Sequence, residues 1–134
     1  MEENTDSYVI DSSFILAHLF PDEKSQKVQK LFNRLKQESI TLFAPYILPF
    51  EVFNGIQTAI IRKRVTPQLA KKLQEQFIRV VIRFKEVDLI EASSIAQKYL
   101  LTIYDSSYVY LAENLKIPLL TLDEKLIKLA LRKN

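Results

Sequence analysis

Residues 101–126 read LTIYDSSYVYLAENLKIPLLTLDEKL, and their order of elements decides the fold class. Asp105, followed by Ser106 and Ser107, is a good helix cap and starts a helix predicted to run to Leu115. Pro118–Leu122 is a short apolar β-type run, and Asp123 heads a last helix. A helix, a buried strand and another helix in succession, with no hairpin signal, point to a parallel sheet covered by helices on both faces.

The rest of the chain repeats this alternation. Tyr8, Val9 and Ile10 run into Asp11 and predict a first strand over 7–11. A short helix follows through Leu19 and is closed by Pro21. Val28, Leu31, Phe32 and Leu35 lie at helical spacing within 22–38. Ile40–Ala44 is the next β-type run, and Pro45 and Pro49 punctuate the entry to a helix reaching about Arg64. Thr66-Pro67 is a cap followed by an N1 proline, opening a helix through about Ile82. Phe84–Val87 is a candidate strand, and Asp88 with Glu91 forms a capping box for a helix ending near Leu101. No repeat, linker or low-complexity tract interrupts the chain, so residues 1–134 are expected to form one domain, with 1–6 flexible.

Parallel α/β sheets bind ligands beyond the carboxyl ends of their strands. Asp11 and Asp123 are predicted at that edge, Asp105 begins a helix, and Glu51 lies in the first turns of another. Each acid alone has an ordinary explanation as a cap or a solvated side chain. Together they bring acids from four separate parts of the chain toward one rim. Glu51 stands out because Leu48, Phe50, Val52 and Phe53 surround it, while Glu51, Asn54, Gly55 and Thr58 make a small polar stripe at helical spacing. Gly55 is the only glycine, and glycine inside a helix costs about 1 kcal/mol relative to alanine. Close approach by a ligand or crowded helix packing explains it equally well.

Composition narrows the chemistry. The chain has 134 residues, 48% hydrophobic and 26% charged, an ordinary soluble balance. It has no cysteine and one histidine, His18, which removes thiolate sites and most histidine-based zinc and triad chemistry. His18 reads as a surface or groove histidine rather than a base. Catalysis would rest on Asp, Glu, Ser, Lys or Arg, with a hard cation held by oxygen. The polar, acidic MEENTDS opening is unlike a secretory signal, and the apolar runs are too short to span a bilayer, so a cytoplasmic protein is expected. A net charge of +3 permits nucleic-acid binding without requiring it. The densest basic run is Arg62-Lys63-Arg64, with Lys71, Lys72, Arg79 and Arg83 downstream; such runs serve phosphate contacts or are solvated helix faces. Tyr104 and Tyr108 flank Asp105 and could stack on bases or belong to the core.

The segments YVIDSSFILAHLF, LPFEVFNGI and LTIYDSSYVYLAENLKIPLLTLDEKL, in that order, resemble the PIN-domain family, with a likeness to the small stand-alone VapC-like ribonuclease toxins. The resemblance runs from about Tyr8 to Leu131 and is most specific where a YD-small-small-Y helix start precedes an LxTxD strand end. It implies a three-layer α/β/α fold with a central, mostly parallel sheet of four or five strands, and metal-dependent endoribonuclease activity. The family's acids map onto Asp11, Glu51, Asp105 and Asp123. Asp11 and Asp105 are then direct ligands of Mg²⁺ or Mn²⁺, with Glu51 and Asp123 bound directly or through water. The family's small hydroxyl residues map onto Ser12 or Ser13 and onto Thr121, orienting carboxylates or touching phosphate. The resemblance also implies an RNA substrate, a protein antitoxin and a homodimer. Family members often carry a further strand after the last helix, where this sequence reads Arg132-Lys133-Asn134. The principal rival is a PIN-like scaffold that binds RNA or a protein without cutting.

Overall fold

The computed structural model describes residues 6–23 and 25–133. Among them the order is β1 (Asp6–Ile10), α1 (Ser12–Leu19), a 3₁₀ turn (Pro21–Glu23), α2 (Gln26–Lys36), β2 (Ile40–Pro45), α3 (Leu48–Ile61), α4 (Pro67–Ile78), β3 (Arg83–Lys85), α5 (Leu89–Tyr99), α6 (Ile103–Leu115), β4 (Leu119–Leu120) and α7 (Glu124–Lys133). The expected flexible segment 1–6 falls outside the described residues except for Asp6, which opens β1 and pairs with Arg34 at 2.6 Å.

The four strands are all parallel, in the order β3-β2-β1-β4. Val9 stands opposite Phe43 on one side and Leu119 on the other, so β1 is central. Val9 and Ile10 are wholly buried, which is why this strand reads as a continuous apolar run. From β1 the chain steps to β2 and β3 in one direction, then returns past β1 to β4. Crossovers between parallel strands are right-handed, so the reversal sends the connections to opposite faces. Helices α1–α4 cover one face, and α5 and α6 cover the other. The sheet reverses between β1 and β4, which is where open α/β sheets make their crevice.

Several helix ends differ from the sequence expectation. Ser25 caps α2 by accepting from the Val28 amide at 3.3 Å, while residues 21–23 wind separately as the 3₁₀ turn. Helix α4 stops at Ile78 rather than Ile82, and the freed residues let the chain turn into β3. The start of α6 is also displaced. Thr102, not Asp105, is the cap, accepting from the Asp105 amide at 3.0 Å, which puts Asp105 inside the first turn. The other caps stand as read: Thr66 accepts from Leu69, and Asp88 from Ile90 and Glu91.

Gly55 is explained by packing. A Cβ there would lie 2.6 Å from Leu16 Cδ1, so the missing side chain lets α1 and α3 approach closely. His18 is half-buried. Its ring lies flat on Phe32 at 3.7 Å between centroids, in the seam between α1 and α2.

Candidate active site

Asp11 follows β1 at the switch point, and its amide donates to the Leu120 carbonyl of β4 at 3.1 Å. The side chain is 4% exposed, and both oxygens are held. Oδ1 accepts from Ser13 Oγ at 2.7 Å and from the Phe14 amide at 3.1 Å, so the carboxylate caps α1. Oδ2 accepts from the buried Thr121 hydroxyl. Ser13 and Thr121 each have a second task. Ser13 Oγ accepts from the Leu122 amide at 2.9 Å, and Thr121 Oγ1 from the Asp123 amide at 3.0 Å. Two hydroxyls thus sew the turn after β1 to the turn after β4. Asp123, beyond that seam, caps α7 through the Lys125 and Leu126 amides.

Glu51 enters from the first turns of α3, which begins where β2 ends. Pro49 at the helix start brings no amide needing a cap. Glu51 Oε1 accepts a 2.6 Å hydrogen bond from the hydroxyl of Tyr108, whose side chain is 1% exposed. This bond ties α3 to α6 from opposite faces of the sheet. Tyr108 is therefore not a surface for stacking bases. It lies three residues after Asp105, on the same helical face, and that spacing was the available signal for its place at the site.

The pKa values of Asp11, Glu51 and Asp105 are each raised above the ordinary carboxylate range. Burial is the main influence on Asp11 and raises its pKa; Ser13, Thr121 and Phe14 oppose this, and the charge of Asp123 adds to it. Burial also raises Glu51, the Tyr108 hydroxyl opposes it, the charges of Asp105 and Asp11 raise it further, and Ser12 favours the ionised form. Asp105 is raised by burial and then by Asp123, with Lys125 pulling the other way. Behind burial, the charges of neighbouring acids thus reach Asp11, Glu51 and Asp105 at this end of the sheet.

Their fit to a divalent cation can be judged from the donors. The rim offers carboxylate and hydroxyl oxygens only, which suits a hard ion, and repelling carboxylates are relieved by a positive charge. Among the described residues no three or more His, Asp or Glu side chains gather into a ready-made metal cage. An open arrangement of this kind fits Mg²⁺ or Mn²⁺, which keep several waters and take one or two carboxylates directly.

The basic run does not join the rim. Helix α3 starts at the rim and runs 14 residues away from it, about 20 Å at 1.5 Å per residue. Arg64 at its far end pairs with Asp22 and Glu23, at 3.1 and 2.9 Å, and lies over the Phe20 ring. Lys85, which ends β3 at the rim, was not singled out from the sequence, because a lone lysine in a short strand carries no pattern.

Comparison with known proteins agrees with this architecture. The PIN domain family model matches residues 8–131, nearly the entire chain. This chain belongs to the PIN-domain family. It is similar to Ribonuclease VapC3 of Pyrobaculum aerophilum, 27% identical over 118 residues that cover 88% of this chain and 90% of that protein. The crystal structure of PAE2754 from the same organism superposes with a TM-score of 0.70 at 22% identity, covering 90% of this chain and 77% of that one. Mycobacterium tuberculosis VapC20, described as a sarcin-ricin loop cleaving toxin, superposes with a TM-score of 0.56 at 12% identity, covering 87% and 89%. At these identities the two superpositions show a shared PIN fold.

Proposed function

We propose that this chain is a Mg²⁺- or Mn²⁺-dependent endoribonuclease acting as the toxin of a toxin–antitoxin pair. The observation that carries this reading is the buried Asp11 at the β1/β4 switch point, its carboxylate held by Ser13 and Thr121 from the two sides of the seam, with the charges of Glu51 and Asp123 in reach. Family membership and the ribonuclease name of the similar VapC3 protein support it. Asp11 and Asp105 would hold the cation directly, and Glu51 and Asp123 directly or through water. A cation held there would supply positive charge against the phosphoryl group and lower the pKa of a nearby water.

The remaining groups prepare this site. Ser13, Thr121 and the Phe14 amide fix both oxygens of Asp11, which keeps its carboxylate from turning away. Tyr108 fixes Glu51 in the same way. Ser12 steadies the ionised Glu51. Asp105 is spared capping by Thr102, so its carboxylate is available to the cation.

An antitoxin and a homodimer belong to the same reading, supported by the exposed apolar side chains Phe50, Ile61 and Ile78 on α3 and α4. A monomer in light scattering that captures no partner would remove both. A cytoplasmic location belongs to the same reading; among the described residues, no helix is long and apolar enough to cross a membrane.

The test is cleavage of a mixed-sequence single-stranded RNA with Mg²⁺ or Mn²⁺ and with EDTA, for the parent, Asp11→Asn and Asp105→Asn. Cutting that needs the metal and falls at least about 100-fold in both variants is expected, as when a pre-positioned charged group is lost. Cutting that survives both substitutions would contradict the assigned site. A parent that binds RNA but never cuts it would favour the scaffold reading.

A further inference from the structure

Beside the acids, a groove opens between the ends of β2 and β3 and the start of α6. Its walls are mainly apolar, with Ile47, Val87, Leu89 and Ile103 among them. Two tyrosines also line it, Tyr46 directly after β2 and Tyr104 directly before Asp105. The two residues are 59% and 54% exposed, unusual for large aromatic residues in a chain with a well-filled core. Tyr46 is backed by Phe84, with ring centroids 5.9 Å apart and planes inclined by 27°, so its ring rests on another aromatic. Tyr104 is set on the first turn of α6, where its carbonyl accepts from Ser107 Oγ at 2.6 Å.

Lys85 and Glu86 are the charged residues of this lining, and their charges offset each other. A groove that is apolar, aromatic and close to neutral suits an uncharged planar group better than a phosphate. Tyr104 and Ser107 of its lining stand on either side of Asp105 in the first turns of α6, so the groove borders that acid.

We propose that this groove receives one unpaired nucleobase of the RNA substrate, adjacent to the bond that is cut, stacked on Tyr46 or Tyr104. The inference rests on the ribonuclease reading and adds a base-binding subsite to it. Base stacking on aromatic side chains tolerates any base, so the groove sets the need for an unpaired nucleotide at that position more than its identity. Folded or paired RNA would be cut only where a base can be turned out.

The experiment uses a short single-stranded RNA whose cut position has been mapped with the parent protein. Single abasic nucleotides are then placed one at a time on either side of that position. The expected result is that one abasic position lowers kcat/KM on the order of tenfold, the size of one lost stacking contact. Tyr46→Leu and Tyr104→Leu are compared on intact and abasic RNA. At least one should raise KM by a similar factor on intact RNA and change little on the RNA lacking the critical base. The corresponding phenylalanine variant, which keeps the ring, should restore the parent KM. Both residues are more than half exposed, so every variant is expected to stay folded, with Tyr46→Leu losing only its contact with Phe84. Cutting indifferent to abasic positions, or tyrosine losses equal on intact and abasic RNA, would overturn the subsite and leave the groove to a protein side chain. If the parent cuts no RNA, the ribonuclease reading fails first and the subsite fails with it.

Discussion

Asp11 spends its Oδ1 on the first turn of α1 and its Oδ2 on Thr121, yet it remains the most buried acid of the rim. Capping and ligation are compatible because a carboxylate has about four lone-pair sites, and three are used here. Glu51 depends chiefly on the Tyr108 hydroxyl in a comparable way, with Ser12 a lesser aid. Tyr108→Phe removes the donor that favours ionised Glu51 while leaving burial and the neighbouring charges that oppose it. The Glu51 pKa must then rise further. Because the site needs this group ionised, the acid limb of the pH–rate profile is predicted to move to higher pH. The fold should lose about 1 kcal/mol, the usual net worth of one hydrogen bond. Rates measured across pH check this, and an acid limb unchanged by the substitution would mean that Glu51 does not govern it. The sequence pointed to all four acids, since each ends a strand or opens a helix. It did not reveal Tyr108 as a partner of Glu51, because a tyrosine at core spacing looks the same with or without a buried acceptor.

At the scale of elements, the approach of α1 to α3 sets where Glu51 stands relative to Asp11. Gly55 makes that approach possible, and Leu16 occupies the space its side chain would need. Gly55→Ala should therefore depend on what is at position 16. In a Leu16→Ala background the substitution is predicted to stabilise by about 1 kcal/mol, the helix-propensity gain alone. In the parent, most or all of that gain is offset by displacing Leu16, giving a coupling on the order of 1 kcal/mol between the two positions. Denaturant unfolding of the four proteins in the cycle measures it, and equal effects of Gly55→Ala in both backgrounds would contradict the packing account. Most elements were legible because each helix carries a cap or a 3.6-residue apolar pattern and three of the four strands a short apolar run; β3, Arg83-Phe84-Lys85, carries none and was read as Phe84–Val87. The end of α4 and the first turn of α6 were not. Thr102 and Asp105 are both good caps three residues apart, and only the tertiary position of the turn decides between them.

Across the whole molecule, strand order converts distant sequence positions into one site. The reversal between β1 and β4 brings Asp11 beside Asp123, and helices from opposite faces add Glu51 and Asp105. Alternation of elements predicted a parallel sheet, but the order β3-β2-β1-β4 and the distance of the basic run from the rim required the structure. Convergence has an energetic sign. The folded-state pKa values of Asp11, Glu51 and Asp105 are raised, so their contribution to stability is fully present below the unfolded carboxylate range and is lost as pH rises through the raised values. At neutral pH the metal-free fold therefore carries the cost of burying ionised carboxylates, with their mutual repulsion added to it, and a bound cation would relieve both. The most direct measurement is a Mn²⁺ titration of the metal-free protein at neutral pH, followed by electron paramagnetic resonance, for the parent, Asp11→Asn and Asp105→Asn. A binding event in the parent that weakens at least about tenfold in each variant, as expected when one ligand of a shared ion is lost, is the predicted result. Parent-like Mn²⁺ affinity in both variants, with their folds intact, would contradict the claim that these acids form one metal site.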